Sequence, residues 1–402
     1  MKVLVINSGS SSVKCSLFDA SANDLSSAWN AQIAWTGKTS YTLTWHVGGE
    51  DSGAKQLNNV DYETAVEACL KTMYSYAVLK DRSEISAVGH RIVHGGGKYK
   101  QSALITESVM HDIESFVELA PAHQPGNIKG IRLASKIFPG LPQIASFDTA
   151  FHHTLPITSA IYAGPYEWFK QGIRRYGFHG ISHQYCAQKS AELVGKPLDS
   201  LRVVTCHLGS GCSLAAIRYA ESVMTTMGFT PLEGLVMRTR SGSIDPGLIL
   251  HFLQEKKHSP SELRNILNSQ SGLKGLSGLS GDMREIEAQM KQGHARAQIA
   301  FAVFISALSA QISALLPTLG GTDVIAFTGG IGENSAAVRS ACITALSFLG
   351  LIIDTEANAS TKSDCLISTL DSKVAVCVVR ANEEQVIARD CLEPVKLQST
   401  KS

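Results

Sequence analysis

Residues 2–18 read K-V-L-V-I-N-S-G-S-S-S-V-K-C-S-L-F. Lys2–Ile6 is a short apolar run of strand type. A Gly/Ser turn follows at Ser8–Ser12, and Val13–Phe18 is a second strand. Residues 201–218, L-R-V-V-T-C-H-L-G-S-G-C-S-L-A-A-I-R, repeat the order. There Leu201–Cys206 is a strand, His207–Cys212 a turn and Ser213–Arg218 a strand. The echo implies two domains of related topology with a cleft between them. A length of 402 residues fits two domains. The boundary is expected near residue 150.

Outward from these openings, strands and helices alternate, which is the pattern of an α/β chain. Asp61–Lys80 has helical spacing, with Ala65, Ala68, Cys69 and Met73 on one face. Ile85–His90 is a strand, Glu107–Leu119 a helix stopped by Pro121, and Ile144–Phe147 a strand that ends at Asp148. Val324–Phe327 is a strand running into T-G-G-I-G-E-N at 328–334, with a helix expected from about Asn334. Val374–Val379 is a strand and Glu383–Arg389 a helix.

Composition narrows the classes. Hydrophobic residues make up 44%, as in a globular enzyme. The formal net charge is +1, and no basic excess points to nucleic acid. Arg174–Arg175 and Lys256–Lys257 are short, and the second pair is a solvated face. The nine cysteines form no C-x-x-C pair, and several sit in apolar runs. Buried, reduced thiols in a cytoplasmic protein are expected. The N-terminus reads as a strand, not a signal peptide. Residues 297–321 carry no charge. Gln298, Gln311, Ser306, Ser309 and Ser313 interrupt that run, so it is expected to be a buried core helix and not a membrane span.

Three Gly-rich turns follow strands, at Asn7–Ser12, His207–Ser213 and Thr328–Asn334. Glycine allows close approach of backbone N–H groups, which suit phosphate oxygens, and Lys14 adds a point charge. Neither a Walker A motif nor a Rossmann fingerprint is present. Arg91 and Arg240 offer forks for carboxylate or phosphate. Asp148 and Glu384 suit Mg²⁺. His179 and His183 have the i, i+4 spacing of a zinc pair, but Gly180 weakens a helix there and no H-E-x-x-H occurs.

Together the strings resemble the acetate kinase family, within the acetate and sugar kinase/Hsp70/actin superfamily. They are N-S-G-S-S-S-V-K at 7–14, H-R-I-V-H-G-G at 90–96, A-P-A-H at 120–123, F-D-T-A-F-H at 147–152 and Y-G-F-H-G-I-S-H at 176–183. H-L-G-S-G-C-S at 207–213, T-P-L-E-G at 230–234, T-R-S-G-S-I-D-P-G at 239–247, G-G-I-G-E-N at 329–334 and A-N-E-E at 381–384 complete the set. The resemblance implies an actin-like, ribonuclease H-like fold with duplicated βββαβαβα topology and a central cleft. The first domain would be 1–150 plus 385–402, through a returning C-terminal helix, and the nucleotide-binding domain 151–384. It also implies a homodimer.

By the same resemblance, Arg91, His123, Asp148, His179 and Arg240 match catalytic positions. Asn7, Ser10, Ser12 and Lys14 match the first phosphate motif. His207, Gly209, Ser210 and Gly211 match the second. Gly329, Gly330, Ile331, Gly332, Glu333 and Asn334 match the adenosine motif. Asn7 and Glu384 would hold Mg²⁺, with Mn²⁺ as an alternative, and ATP and ADP are co-substrates. Arg91 is expected to take the carboxylate, and Arg240 and His179 the oxygens of the moving phosphoryl group. Val93, Ala122, Phe178 and Pro231 would line the acyl pocket. Ser210, Arg238, Ser243, Ala122 and Gln124 depart from the family's usual Asn, Gly, Asp, Leu and Asn. Ala122 enlarges the acyl pocket, so propionate is an expected substrate. A propionate or butyrate kinase, a sugar kinase with Asp148 as base, and an ATP-driven switch module are the rivals. Direct transfer and a phosphoenzyme on Glu384 both stay open.

Overall fold

The structure is a computed structural model that describes residues 1–402 except 10–11, 21–24, 36–39, 49–50, 77, 256–257, 393 and 395–402. Ser10 and the Lys256–Lys257 pair lie outside the described residues, as does most of the expected tail after 392. The chain forms two compact units. One is Met1–Ala150 with the segment from Asn382 onward, and the other is Phe151–Ala381.

The first unit holds β1 (Lys2–Ser8), β2 (Ser12–Asp19), β3 (Ser26–Trp35), β4 (Ser40–Val47), β5 (Asp51–Asn58), β6 (Ile85–Ile92), β7 (Ala103–Leu104) and β8 (Gln143–Phe147). Their order in the sheet is β5-β4-β3-β2-β1-β6-β8-β7. The second unit holds β9 (Arg202–Leu208), β10 (Cys212–Arg218), β11 (Glu221–Thr225), β12 (Val324–Thr328), β13 (Cys365–Leu366) and β14 (Ala375–Val378), in the order β11-β10-β9-β12-β14-β13.

The two sheets share one topology. β1 lies antiparallel to β2 and parallel to β6, which is parallel to β8. β9 lies antiparallel to β10 and parallel to β12, which is parallel to β14. A short antiparallel strand closes each far edge, β7 on β8 and β13 on β14. The hairpin β4–β5 is extra to the first sheet. The central strands read as unbroken apolar runs because both faces are covered, as parallel strands require. Val3, Leu4 and Val5 are fully buried, as are Val203 and Val204. Register puts Asn7 opposite Lys14 and His207 opposite Ser213, each pair on one face.

Helix Tyr62–Ser75 starts at Asp61, whose carboxylate accepts from the Thr64 N–H at 2.8 Å. It buries Ala65, Val66, Cys69, Leu70 and Met73 and stops at Ser75, short of the expected Lys80. Ala68 sits at the edge of that stripe. Helix Glu107–Ser115 is followed by a tighter turn, Phe116–Glu118. The third Gly-rich turn is itself helical, Gly329–Asn334, and a second helix follows at Ala336–Ala345.

The uncharged helix spans Ala295–Leu319. Among the described residues it is the one helix long and apolar enough to cross a membrane by length and composition. It buries Ala297, Ala300, Phe304, Leu308, Ile312, Leu315 and Leu319 at helical spacing. Ile299 and Val303 are exposed. The expected buried core helix thus buries one face and leaves the other exposed. All nine cysteines are unbridged, and all but Cys365 are buried.

Helix Glu383–Asp390 packs on β1, β6 and β8 of the first unit. Gly89 on β6 permits that approach. A Cβ there would lie 2.6 Å from Ile387 Cγ2 and 2.8 Å from Cys391 Sγ. Gly89→Ala is expected to lower stability by about 1–3 kcal/mol through overpacking. Urea denaturation of the variant beside the parent chain measures it.

Candidate active site

In the first unit, parallel strands end side by side and deliver polar groups to one place. Arg91 comes near the end of β6, Asp148 directly after β8, Asn7 near the end of β1, and Glu383 and Glu384 from the first turn of helix Glu383–Asp390. The Arg91 fork grips Asp148, with Nε donating to Oδ1 at 3.0 Å and Nη2 to Oδ2 at 2.6 Å. Glu383 lies 3.6 Å from Arg91 Nε. Asn7 Nδ2 donates to Glu383 Oε2 at 3.3 Å and to Glu384 Oε1 at 3.2 Å. Burial alone would pull the Arg91 pKa down, but Asp148, Glu383 and Glu384 raise it above the usual arginine value. Arg91 is therefore always charged.

Helix Gln124–Ile137 supports this corner. Asn127 accepts from Val93 N at 3.0 Å and donates to the Ser8 carbonyl at 2.7 Å, tying the ends of β1 and β6. Gln124, fully buried, accepts from His94 N at 3.3 Å and donates to the His94 and Ile113 carbonyls, each at 3.1 Å. The family's shorter Asn is thus replaced by an amide with three backbone partners. His123 is the residue at which that helix starts. Val93 is buried. Ala122 is exposed and lines a groove of about 490 Å³ with Ser8, Gly9, Trp35, Tyr41 and Tyr62. Lys14 is exposed on β2, and Ser12 opens that strand.

Asn7 and Glu384 are the candidate metal pair. Among the described residues, no group of three or more His, Cys, Asp or Glu donors surrounds a metal position. A carboxylate and an amide oxygen are donor types that Mg²⁺ takes beside waters and phosphate oxygens; here the Asn7 amide turns its nitrogen to Glu384, so the amide would rotate to serve as a ligand. Zinc does not fit at His179 and His183. His183 spends its ring on Thr205 Oγ1 and Ser213 Oγ, at 2.7 and 2.8 Å.

In the second unit, the β9–β10 turn, Gly209–Gly211, faces the turn after β12. A Cβ on Gly329 (φ +78°) would meet the Leu208 carbonyl at 2.9 Å. One on Gly209 would lie 3.9 Å from Gly330 N. A cavity of about 600 Å³ opens beside them. Gly209, Ser210, Gly330, Ile331 and Asn334 line it, as do Arg238, Asp282, Met283 and Arg284. The last three were not anticipated; they follow the Gly-rich run G-L-S-G at 278–281, whose Gly281 (φ +80°) lines the same cavity, and they open helix Met283–Lys291 at its Asp282 cap. Gly332 is buried beneath the turn. Glu333 accepts from Gly329 N at 3.0 Å and Ala381 N at 2.9 Å, so its carboxylate pins the turn. Arg339, buried, braces the same turn through the Gly332 carbonyl at 2.8 Å.

Arg240 and His179 meet at Gly211. A Cβ there would sit 2.6 Å from Arg240 Nη2 and 3.1 Å from His179 Cε1. Arg240 Nη1 donates to the Pro231 carbonyl at 2.6 Å, and no carboxylate pairs with Arg240 among the described residues. Burial lowers its pKa from the usual value. His179 stacks on His207, with centroids 4.3 Å apart, and Phe178 beside it is buried.

Two sheets of one repeated topology, with glycine turns and unlike charge clusters at their strand ends, define the actin-like class of phosphoryl-transfer folds. The chain belongs to the acetokinase family, whose model matches residues 2–389. An acetate kinase of Synechococcus sp. (strain JA-2-3B'a(2-13)) is 48% identical over 400 residues, which is 97% of this chain and 98% of that protein. The crystal structure of Porphyromonas gingivalis acetate kinase superposes with a TM-score of 0.88 at 37% identity, covering 98% of this chain and 99% of that one. A propionate kinase from Francisella tularensis gives 0.89 at 37% identity, covering 97% and 98%.

Three buried histidines carry a pH consequence. Burial lowers His90, His94 and His152 from 6.5 to about 4. The unfolded chain therefore binds more protons than the folded one between these values. Stability is full above pH 6.5 and falls as pH drops towards about 4. Denaturation midpoints measured across that window are expected to decline steadily, with His90→Gln flattening part of the slope.

Proposed function

We propose that this chain transfers the γ-phosphoryl group of ATP to acetate, reversibly, giving acetyl phosphate and ADP. The observation that carries the reading is Arg240, a half-buried guanidinium without a carboxylate partner among the described residues. An uncompensated, partly buried cation is costly, and an anionic ligand completes it. In the first unit Arg91 is already neutralised by carboxylates. Its Nη1, without a hydrogen-bond partner among the described residues, is the donor proposed to receive the acetate carboxylate.

Acetate is ionised at neutral pH, since carboxylic acids titrate near ~4. One carboxylate oxygen attacks the γ-phosphorus, the new O–P bond forms, and the bond to the ADP oxygen breaks. No general base is needed. The work is positioning and charge neutralisation. Arg240 and His179 take the equatorial oxygens. The turns at Gly209–Gly211 and Gly330–Asn334 hold the nucleotide, with Asp282 and Arg284 beside it, and Arg238 adds a charge to that cavity. Asn7 and Glu384 hold Mg²⁺, which shields the negative charge of the phosphates. Asp148 fixes the Arg91 fork and is not free to act as a base for a neutral sugar hydroxyl, which disfavours the sugar kinase rival.

Val93 and Ala122 of the first unit and Phe178 and Pro231 of the second are the acyl-pocket residues that the family resemblance implies, and propionate is proposed as a substrate alongside acetate. The protein acts in the cytoplasm without nucleic acid or membrane partners, and as a homodimer. Helix Pro246–Gln254, P-G-L-I-L-H-F-L-Q, supports a dimer because it buries none of its residues in the chain itself.

Acyl phosphate trapped with hydroxylamine from ATP, Mg²⁺ and formate, acetate, propionate or butyrate tests the reading. Acetate and propionate are expected to give product, and no product from any acid would overturn it. Arg240→Ala is expected to lower kcat about 10²–10³-fold with ATP binding largely kept. Near-normal turnover in that variant would remove Arg240 from the mechanism.

A further inference from the structure

We propose that Thr205, His183 and Ser213 form a directional hydrogen-bond relay that sets the tautomer of His179, so that its Nε2–H edge is presented to the transferring phosphoryl group. The ring's task rests on the phosphoryl-transfer reading above; its tautomer does not.

The backbone is held first. His179 has φ +58° and ψ 25°, a left-handed conformation that a side chain rarely adopts. Gly177 two residues before has φ +77°, and a Cβ on it would meet the His152 ring at 2.6 Å. His152 is buried between Ser222 and the Phe178 carbonyl. Its Nε2 lies 3.1 Å from the Phe178 oxygen and its Nδ1 2.7 Å from Ser222 Oγ. A carbonyl only accepts, so Nε2 carries the His152 proton and Ser222 donates to Nδ1. That bond clamps the peptide immediately before His179.

The ring is held next. His179 Nδ1 lies 2.8 Å from Ser213 Oγ. The same hydroxyl lies 2.8 Å from His183 Nε2, and His183 Nδ1 lies 2.7 Å from Thr205 Oγ1. A serine hydroxyl has one proton and two lone pairs, but Ser213 is fully buried with these two ring nitrogens as its hydroxyl's partners among the described residues, so it donates to one ring and accepts from the other. Two orders are therefore open. In the first, Thr205 donates to His183 Nδ1, His183 Nε2–H donates to Ser213, and Ser213 donates to His179 Nδ1. His179 then carries its proton on Nε2. In the second, every bond is reversed.

Thr205 decides between them. It is fully buried, and His183 is the hydrogen-bond partner its hydroxyl has among the described residues. In the reversed order its O–H would have no acceptor, a cost that buried polar groups avoid. The first order leaves every proton placed. It also keeps His179 neutral. Arg240 and the His207 ring both flank it, and a second cation beside a half-buried guanidinium is disfavoured. The Cε1–Nε2 edge of His179 faces Gly211, where a Cβ would lie 3.2 Å from Nε2. The proton is thus on the side of the Gly-rich turn. The opposite tautomer would turn a lone pair on an anionic oxygen.

Thr205, His183 and Ser213 are positioning residues, and the test reads the proton itself. Nitrogen NMR of histidine-labelled protein, with His179 assigned by its loss in His179→Gln, is expected to show Nε2 protonated and Nδ1 bare at neutral pH. Thr205→Val, near in size and three hydrogen bonds away from His179, is expected to mix the two His179 tautomers. It should lower kcat about tenfold while KM for ATP stays within about twofold. Ser213→Ala is expected to do the same more strongly. A parent His179 protonated on Nδ1 would overturn the relay. So would an unchanged His179 spectrum and kcat in both variants. The expected tautomer without acyl phosphate formation would sink the proposed reaction and leave the relay standing. Acyl phosphate formation with the other tautomer would do the reverse.

Discussion

One guanidinium ties the first unit together. Arg91 leaves β6, Asp148 follows β8, and Glu383 arrives from a helix nearly 300 positions further along the chain. Desolvating these charges costs several kcal/mol each, and only close pairing with satisfied hydrogen bonds offsets it. The bidentate fork supplies that pairing. Glu383 and Glu384 sit in the first turn of their helix, where the backbone dipole favours negative charge. Through Asn7 they also reach the end of β1. The helix near the C-terminus is therefore part of the site's electrostatics as well as a cover for the sheet.

The second unit is built on the opposite principle. Its arginine, Arg240, is half-buried with a carbonyl for company and no balancing carboxylate among the described residues. The surrounding turns are shaped by glycines that cannot bear a side chain, Gly211 against Arg240 and Gly329 against Leu208. Glu333 and Arg339 stiffen the turns from behind through backbone groups. One unit carries a satisfied cation and the other an unsatisfied one. That division suits a reaction in which an anion must be brought to a polyanion: the first holds an arginine in place, and the second awaits negative charge.

Much of this was legible in the sequence because strand–turn–strand openings have a strong local signature. The repeat at 2–18 and 201–218 marked both sheets, and each glycine turn proved to follow a strand. The strands β3 to β5 were not read, although Trp29, Ala31, Ile33 and Trp35 in β3 and Tyr41, Leu43, Trp45 and Val47 in β4 alternate with small or polar residues; only Asp51–Asn58 is poor in apolar residues. The Ala295–Leu319 run gave no sign of which face would be buried. Arg91 and Asp148 were each singled out, but their pairing spans 57 positions and had no local cue. Glu383 was passed over for its neighbour Glu384, although both stand in A-N-E-E. Gln124 stood out only as a departure. Its three backbone bonds belong to the packing of a helix against β6, which no pattern of residues encodes. The proposed tautomer of His179 depends on the hydroxyls of Thr205 and Ser213 and the His183 ring, from three separate elements, and is visible only in three dimensions.

The central claim is that phosphorus moves between a carboxylate and a nucleotide without another acceptor. Phosphorus NMR of the protein mixed with acetyl phosphate, ADP and Mg²⁺ follows that transfer in the reverse direction. The account requires the acetyl phosphate signal to decay in step with growth of the γ-phosphate of ATP. Decay to inorganic phosphate without ATP, or no decay at all, would contradict it.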